Sequence, residues 1–540
     1  MKNIRACLAQ INTTVGDLAG NSEKIIQYID KARELGSDIV VFPELALSGY
    51  PPEDLLLKPH FISKNREYLD KIIEKTESIF AIVSFPYREK GKLYNAAALI
   101  NNKKLVSIYK KIFLPNYGVF DELRYFTPGD TCPVINFGKG RKIGINICED
   151  IWHSNGPQKA QAASGKARII INISASPYHI QKLDLRQNVV RRIAKENKTF
   201  VLYCNCAGAQ DELVFDGASM AFDDKGKLIA RAKQFEEDLL TVDIDCAKPC
   251  GNRIERKFSL LEEVYAALVL GFSDYVKKNG FKKIVLGLSG GIDSALVAAL
   301  AVDALGKDNV VALTMPSQYS SSGTLNDAKK LAKNLGIKLY VIPIKKLHKA
   351  YLETFSGPFK GTKPNITEEN IQARIRGNIL MAFSNKFGWL VVTTGNKSEL
   401  SVGYCTLYGD TAGGFALIKD VPKTLVYKLS QYRNKKEGKE LIPISIFVRP
   451  PTAELKKNQT DQDTLPPYSE LDKIIDEYVE KDYSLDSIVR KGIRKDTAKK
   501  VISMIDRNEY KRRQSPLGIK ITPKSFGRDR RMPITNKFYE

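Results

Sequence analysis

The sequence predicts an α/β protein in two halves: a layered α+β domain, then a doubly wound parallel sheet. Two rhythms carry this. The first half strings together short apolar runs of strand length with only occasional long helical stretches, whereas the second alternates strand and helix patterns regularly. Size and composition agree. The chain has 540 residues, 43% hydrophobic and 27% charged, enough for roughly two to four buried cores in an ordinary globular protein.

In the first half, 4–12 reads as a strand and 21–35 as a helix with Ile25, Ile26, Ile29 and Ala32 on one face. Residues 39–42 form an apolar strand. Strands at 96–100 and 105–109 flank Asn101-Asn102-Lys103-Lys104, a hairpin signal. Further strands follow at 143–147, 168–173, 200–205 and 239–244, with a helix around 184–196. A second hairpin joins 220–222 to 227–230 across Asp223-Asp224-Lys225-Gly226. In the second half, helices at 260–278, 293–305, 325–335 and 368–386 alternate with strands at 283–288, 310–315, 339–344 and 389–394. The seam is expected at 245–257, which carries Pro249, Gly251 and mixed charge.

Composition excludes several classes. No apolar run approaches the ~20 residues that span a bilayer, and the run 4–8 is too short for the core of a signal peptide, so a cytoplasmic protein is expected. The eight cysteines include no C-x-x-C pair, and only four histidines are present. Free thiols are therefore expected rather than a disulfide framework or structural zinc. The net charge of +23 favours anionic ligands without choosing among nucleotides, nucleic acid and acidic membranes. The basic C-terminal stretch is broken by Pro516, Gly518, Pro523, Gly527 and Pro533. It reads as a solvated surface or a phosphate clamp, not as a recognition helix.

The most informative stretch is Ser289-Gly290-Gly291-Ile292-Asp293-Ser294, between an apolar strand and an apolar helix. A glycine turn opening a helix gathers free N–H groups at the positive end of the helix dipole, a ready anion cradle. The two serines add hydroxyl donors. The carboxylate of Asp293 beside a phosphate makes sense mainly with Mg²⁺ between them.

Three residues in the first half stand out together. Glu44 in Val41-Phe42-Pro43-Glu44 and Lys111 in Lys110-Lys111-Ile112-Phe113-Leu114-Pro115 are charges attached to strands that ought to be buried. Lone buried charges cost several kcal/mol, so mutual pairing is the economical explanation. Cys148 ends the strand 143–147, where a thiol can face a site, but it needs a base; His153 and nearby carboxylates are the options.

These segments resemble known families. Pro43-Glu44, Lys111-x-x-Leu114-Pro115 and Cys148-Glu149-Asp150 are similar to the Glu–Lys–Cys triad of the nitrilase, or carbon–nitrogen hydrolase, superfamily. The resemblance implies an αββα sandwich with Glu44 as general base, Lys111 stabilising the oxyanion and Cys148 as nucleophile. A nearby ammonium should also lower the thiol's pKa. Phe113 departs from the histidine that many such enzymes carry there. Residues 289–294 resemble the SGGxDS pyrophosphate loop of ATP pyrophosphatases. The two halves together resemble the glutamine-dependent NAD synthetases, through 114–122, 172–177, 394–399, 406–410, 451–455 and 462–468, and through 511–514 in the basic tail.

That resemblance implies a nitrilase-like domain over 1–245, a linker over 246–257 and a Rossmann-like ATP-pyrophosphatase domain with its basic tail over 258–540. It implies that Tyr117, Glu149, Ser176 and Lys182 hold glutamine. Ser289, Gly290, Gly291, Asp293, Ser294, Thr394, Lys423 and Thr452 would meet ATP. Asn370, Arg374 and Glu399 would meet nicotinic acid adenine dinucleotide, and Asp293 with Glu399 would hold Mg²⁺. It also implies a homo-oligomer and a closed passage carrying neutral ammonia between the halves, and it argues against a separate nucleic-acid arm. Arg374 and Arg376 could equally form a solvated helix face. Two rivals stand beside this reading: an ATP-pyrophosphatase ligase with another acceptor, such as a tRNA, and a carbon–nitrogen hydrolase whose second half only binds nucleotide.

Overall fold

A computed structural model describes residues 4–137, 141–244 and 252–538. The chain divides into two compact units, Met1–Glu263 and Val264–Glu540. Half of the expected linker, 246–251 with Cys246 and Cys250, lies outside the described residues. The other six cysteines are free thiols. Among the described residues, no helix is long and apolar enough to cross a membrane.

The first unit contains β1 (Ile4–Gln10), β2 (Ile39–Val41), β3 (Phe80–Glu89), β4 (Lys92–Asn101), β5 (Lys104–Lys110), β6 (Val134–Asn136) and β7 (Lys142–Ile147). Then come β8 (Ile169–Ser174), β9 (Phe200–Asn205), β10 (Ala207–Gln210), β11 (Leu213–Asp216), β12 (Met220–Phe222), β13 (Leu228–Arg231) and β14 (Asp238–Ile244). One sheet runs β14-β1-β2-β3-β4-β5, the other β13-β12-β9-β8-β7-β6, and β10 and β11 form a separate ribbon.

Period-two alternation explains the layering. Ala6 and Leu8 of β1, Val41 of β2 and Leu99 of β4 point into the same core as Ile145 of β7, Ile171 of β8 and Leu202 of β9. Their neighbours Cys7, Ala9, Val40 and Ala98 face outward instead, against Ile25 and Ile29 of the helix Leu18–Glu34 and Leu69 and Ile72 of the helix Pro59–Lys75. On the other side, Ile170, Val201 and Tyr203 pack on Val190 and Ile193 of the helix Lys182–Asn197. The result is the expected αββα sandwich, with both sheets buried on both faces, which is why runs such as Ile169-Ile170-Ile171 are continuously apolar.

The second unit holds a five-stranded sheet of β15 (Ile284–Gly287), β16 (Val310–Thr314), β17 (Lys338–Val341), β18 (Leu390–Thr393) and β19 (Phe415–Ala416). Every pairing is parallel, in the order β17-β16-β15-β18-β19. Chain order reverses between β15 and β18, which makes this the topological switch point where such sheets bind ligands. The helix Ile292–Leu305 after β15 is apolar all round and buried over most of its length, as a central helix of a doubly wound fold must be. The helix Ser322–Leu335 is capped by Ser321 and stopped by left-handed Gly336. The helix Ile366–Phe387 has an Asn365–Glu368 capping box and ends at left-handed Gly388.

The basic tail differs from expectation. Lys520, Arg512 and Arg530 are buried rather than solvated. Lys520 pairs with Asp529, Arg512 with Glu509, and Arg530 with Asp506 and Glu509. Lys397 Nζ reaches Asp420, Glu480 and Thr522, so these charges bind the tail to its own domain.

Candidate active sites

In the first unit the candidate site residues lie just after the ends of strands. Glu44 follows β2, Lys111 follows β5, Cys148 follows β7 and Ser176 lies just past β8. Lys111 and Glu44 side chains are both 0% exposed, with Nζ 2.7 Å from Oε1. The pairing expected from the cost of burying charge is therefore present. Glu44 also accepts from Asn95 Nδ2 at 2.8 Å and from the Ala175 amide at 3.1 Å. Sequence reasoning missed Glu122, which binds Lys111 Nζ through both oxygens at 2.7 and 2.9 Å. The ammonium thus bridges two buried carboxylates. Burial works against its charge, but Glu122 and Glu44 outweigh that and hold its pKa well above the ordinary lysine value.

Cys148 opens the tight turn Cys148–Trp152 with φ +42°, a region non-glycine residues seldom adopt. Its thiol is pushed well above the usual cysteine value, first by burial and then by Glu44, with Lys111 opposing. This corrects the expectation of a thiolate favoured by Lys111. The ammonium is already offset by two carboxylates and its pull on the thiol is outweighed by burial, so a nucleophilic role for this thiol would need a base.

Of the residues assigned to glutamine, Tyr117 donates its hydroxyl to Glu149 at 2.9 Å. His153 also faces Glu149, at 3.5 Å, and stacks on Phe113 with centroids 4.0 Å apart. Lys182 lies 4.4 Å over the Trp152 ring, its pKa lowered by burial and then by Arg186, against the pull of Glu149. The buried Ser176 donates its amide to Asn205. Tyr117, His153 and Lys182 thus contact the turn that carries Cys148, through Glu149 and Trp152.

The Glu122 carboxyl has a consequence for stability. Burial raises it from an ordinary 4.5 to about 7, with Lys111 pulling it back and Glu44 adding to the rise. The fold therefore binds this proton more tightly than the unfolded chain does. The stabilisation is complete below about pH 4.5 and is lost as pH rises through about 7. Glu122→Gln lacks it. The melting-temperature advantage of the native chain over that variant should accordingly shrink between about pH 5 and about pH 8. A constant or growing advantage would contradict the assignment.

In the second unit a cavity of ≈ 430 Å³ opens at the switch point. It is lined by Ser289, Gly290, Gly291, Asp293 and Ser294 after β15, and by Thr394, Gly395 and Glu399 after β18. Gly290 has φ +84°, and a Cβ there would lie 2.2 Å from the Thr324 carbonyl oxygen, so only glycine fits this turn. Ser294 Oγ lies 3.1 Å from Ser289 Oγ, and Ser289 Oγ accepts from the Gly291 amide, which closes the loop on itself. The following helix starts at Gly291 without a side-chain cap, leaving its first N–H groups facing the cavity end.

Lys423 Nζ lies 2.5 Å from Asp293 Oδ2 and 2.9 Å from Glu399 Oε1, and Asn396 Nδ2 donates to Asp293 Oδ1. Burial opposes the lysine's charge, but Asp293 and Glu399 outweigh it and raise its pKa. Glu399 is pushed up to about 7 by burial, against the pull of Lys423 and with the help of Asp293. Two hard carboxylate oxygens therefore converge on one cation. Among the described residues no group of three or more potential ligands forms a complete metal cage, and two carboxylates suit an ion whose remaining ligands are waters and substrate phosphates.

Asn370 and Thr452 also line the cavity, as do Asp461 and Lys511, to which sequence reasoning gave no role. Arg374 does not line it. It is exposed, with Nε donating to the Leu407 carbonyl, whereas Arg376, two residues on, lines the cavity and donates to Met315 O.

Comparison with known proteins places this geometry. The carbon–nitrogen hydrolase family model matches residues 5–248 and the NAD synthase model matches 264–515. Glutamine-dependent NAD(+) synthetases of Thermotoga maritima and Aquifex aeolicus are 48% and 50% identical to the chain, the first over 100% of both chains and the second over 99% of both. The chain belongs to the glutamine-dependent NAD(+) synthetase family. The solved structure of the Acinetobacter baumannii family member, in complex with ADP, superposes with a TM-score of 0.81 at 39% identity, over 99% of each chain. The Cytophaga hutchinsonii member gives 0.86 at 25% identity, over 99% of this chain and 98% of that one.

Proposed function

We propose that this chain makes NAD by ATP-dependent amidation of nicotinic acid adenine dinucleotide, with nitrogen drawn from glutamine. The observation that carries the reading is the occurrence, in one chain of this family, of two separate reactive sets. One is the Glu44–Lys111–Glu122 cluster acting on the Cys148 thiol; the other is the glycine loop at the switch point beside Asp293, Glu399 and Lys423.

In the first unit Glu44 takes the Cys148 proton as the sulfur attacks the side-chain amide carbon of glutamine. Lys111 offsets the negative charge that develops on the amide oxygen. The proton passes to the departing nitrogen, ammonia leaves and a thioester remains. Water, deprotonated by Glu44, then releases glutamate and restores the thiol. A protonated thiol needs a base at the moment of attack, and Glu44 is the base proposed for it. Tyr117, Glu149, Ser176 and Lys182 hold the amino-acid end of glutamine.

In the second unit a carboxylate must be activated, because its charge and poor leaving group both oppose attack by ammonia. The dinucleotide's carboxylate attacks the α-phosphate of ATP, and pyrophosphate leaves into the cradle of Ser289, Gly290, Gly291 and Ser294. Ammonia then attacks the mixed anhydride and AMP departs. Asp293 and Glu399 would hold Mg²⁺, which when bound neutralises phosphate charge. Lys423 is placed to meet the phosphates, with Thr394 and Thr452 on the nucleotide side and Asn370 towards the dinucleotide. On family likeness alone, we read the chain as a cytoplasmic homo-oligomer.

The test is a purified reaction containing ATP, Mg²⁺, nicotinic acid adenine dinucleotide and either glutamine or ammonium. NAD, AMP and pyrophosphate should form with both nitrogen sources, and glutamate with glutamine only. Pyrophosphate release that does not require the acid dinucleotide would refute the reading and favour another acceptor.

A further inference from the structure

Asp150 is fully buried two residues after the nucleophile, and the reaction as described above gives it no part. Its Oδ2 accepts from the Ile147 amide at 2.9 Å and from the Tyr109 hydroxyl at 2.7 Å. Its Oδ1 accepts from the amides of Phe113 at 2.9 Å and Ile112 at 3.2 Å. The first of these donors is the last residue of β7, directly before Cys148, and Asp150 itself lies in the turn that Cys148 opens. The other three bracket Lys111 in the chain, from the last residues of β5 into the segment beyond it. Among the described residues no ion pair engages this carboxylate, and its hydrogen bonds come from neutral donors. Burial lifts it to about 6, while Tyr109 and the amides of Phe113 and Ile147 pull it back, so near neutral pH it is an acceptor facing donors only.

The energetics favour a positioning role. Cys148 is held at φ +42°, a strained conformation that persists only where the surroundings over-determine it. A carboxylate accepting from both sides fixes the turn and the Lys111 segment to one another. Without that tie the Cys148 turn and the Lys111 segment are joined only through core packing behind them, and displacement of about 1 Å at a reacting centre costs on the order of 100-fold in rate. We infer that Asp150 is the positioning residue that fixes the Cys148 turn to the Lys111 segment, holding thiol, base and ammonium in attack geometry. This rests on the proposed glutamine chemistry of the first unit.

The test is steady-state kinetics of Asp150→Asn and Tyr109→Phe, with glutamine and separately with ammonium as nitrogen source. Asparagine keeps the shape but turns an N–H toward donors. It should lower kcat with glutamine by about 100-fold and raise KM for glutamine less, by about 3- to 10-fold, because Glu149 rides on the same turn whereas Tyr117, Ser176 and Lys182 do not. Tyr109→Phe removes one donor and should show the same split at about 10-fold. Ammonium-dependent synthesis should stay within about 2-fold in both. Retention of native kcat with glutamine, a rise in KM at constant kcat, or parallel loss of both nitrogen sources would overturn the assignment. If Asp150→Asn does not fold, Tyr109→Phe decides alone. Failure of the native chain to use glutamine at all would instead refute the underlying function.

Discussion

Cys148→Ala is expected to abolish NAD formation from glutamine, by ~1,000-fold or more, while ammonium still supports synthesis at close to the native rate. The loss should be near complete because nothing else in the cluster can form the thioester. Glu44 and Glu122 are engaged with Lys111, and Cys204 and Cys206, the next thiols along the chain, lie in and beyond β9 rather than on the Cys148 turn. Alanine removes only a sulfur that carries no charge in the ground state. The pairing of Lys111 with its two carboxylates therefore survives, and the first unit should remain folded. Ammonium bypasses this unit's chemistry altogether. Removing Lys111 would behave differently, since it leaves buried carboxylates uncompensated, a change that costs about 3–5 kcal/mol.

Asp293→Ala is the second large effect, and it should reach both nitrogen sources. Asp293 lies in the first turn of the helix that follows the glycine loop and is held by Lys423 and Asn396. Its loss leaves Lys423 bound to Glu399 alone and removes one of the two hard oxygens suited to a divalent ion. Adenylation of the dinucleotide should fall by ~100- to 1,000-fold with glutamine or ammonium alike. Reaction of Cys148 with electrophiles should not change. A variant that loses only glutamine-dependent synthesis would show that Asp293 does not serve the adenylation step.

Much of this was legible in the chain. Glu44 and Lys111 could be found because a charge attached to an apolar strand has to be explained, and pairing explains it. The glycine loop at 289–294 could be found because two glycines between a strand and a helix have a specific backbone use, which Gly290 displays. Glu122 could not be found. It lies in Pro115–Glu122, a loop with no periodicity, and becomes a partner of Lys111 only once the fold brings that loop back. Asp150 was hidden for the opposite reason: beside Cys148 it looks like a neighbour, and its partners lie 37 to 41 positions away as well as three. Arg374 and Arg376 have equal claims by helical spacing, and only packing distinguishes the exposed one from the one lining the cavity. The basic tail misled because charge counts say nothing about partners. Asp420, Asp482 and Asp506, from segments outside the tail, meet its charged and polar groups. The depressed thiol pKa expected from Lys111 failed because burial and Glu44 had not been weighed against it.

The central claim is that sulfur at Cys148 frees the nitrogen which the second unit consumes. Labelling with an electrophilic glutamine analogue that alkylates its attacking nucleophile tests this directly, with the modified residue located by peptide mass spectrometry. The account predicts one adduct, on Cys148, appearing in step with loss of glutamine-dependent synthesis while ammonium-dependent synthesis persists. An adduct on another residue, or loss of both activities together, would contradict it.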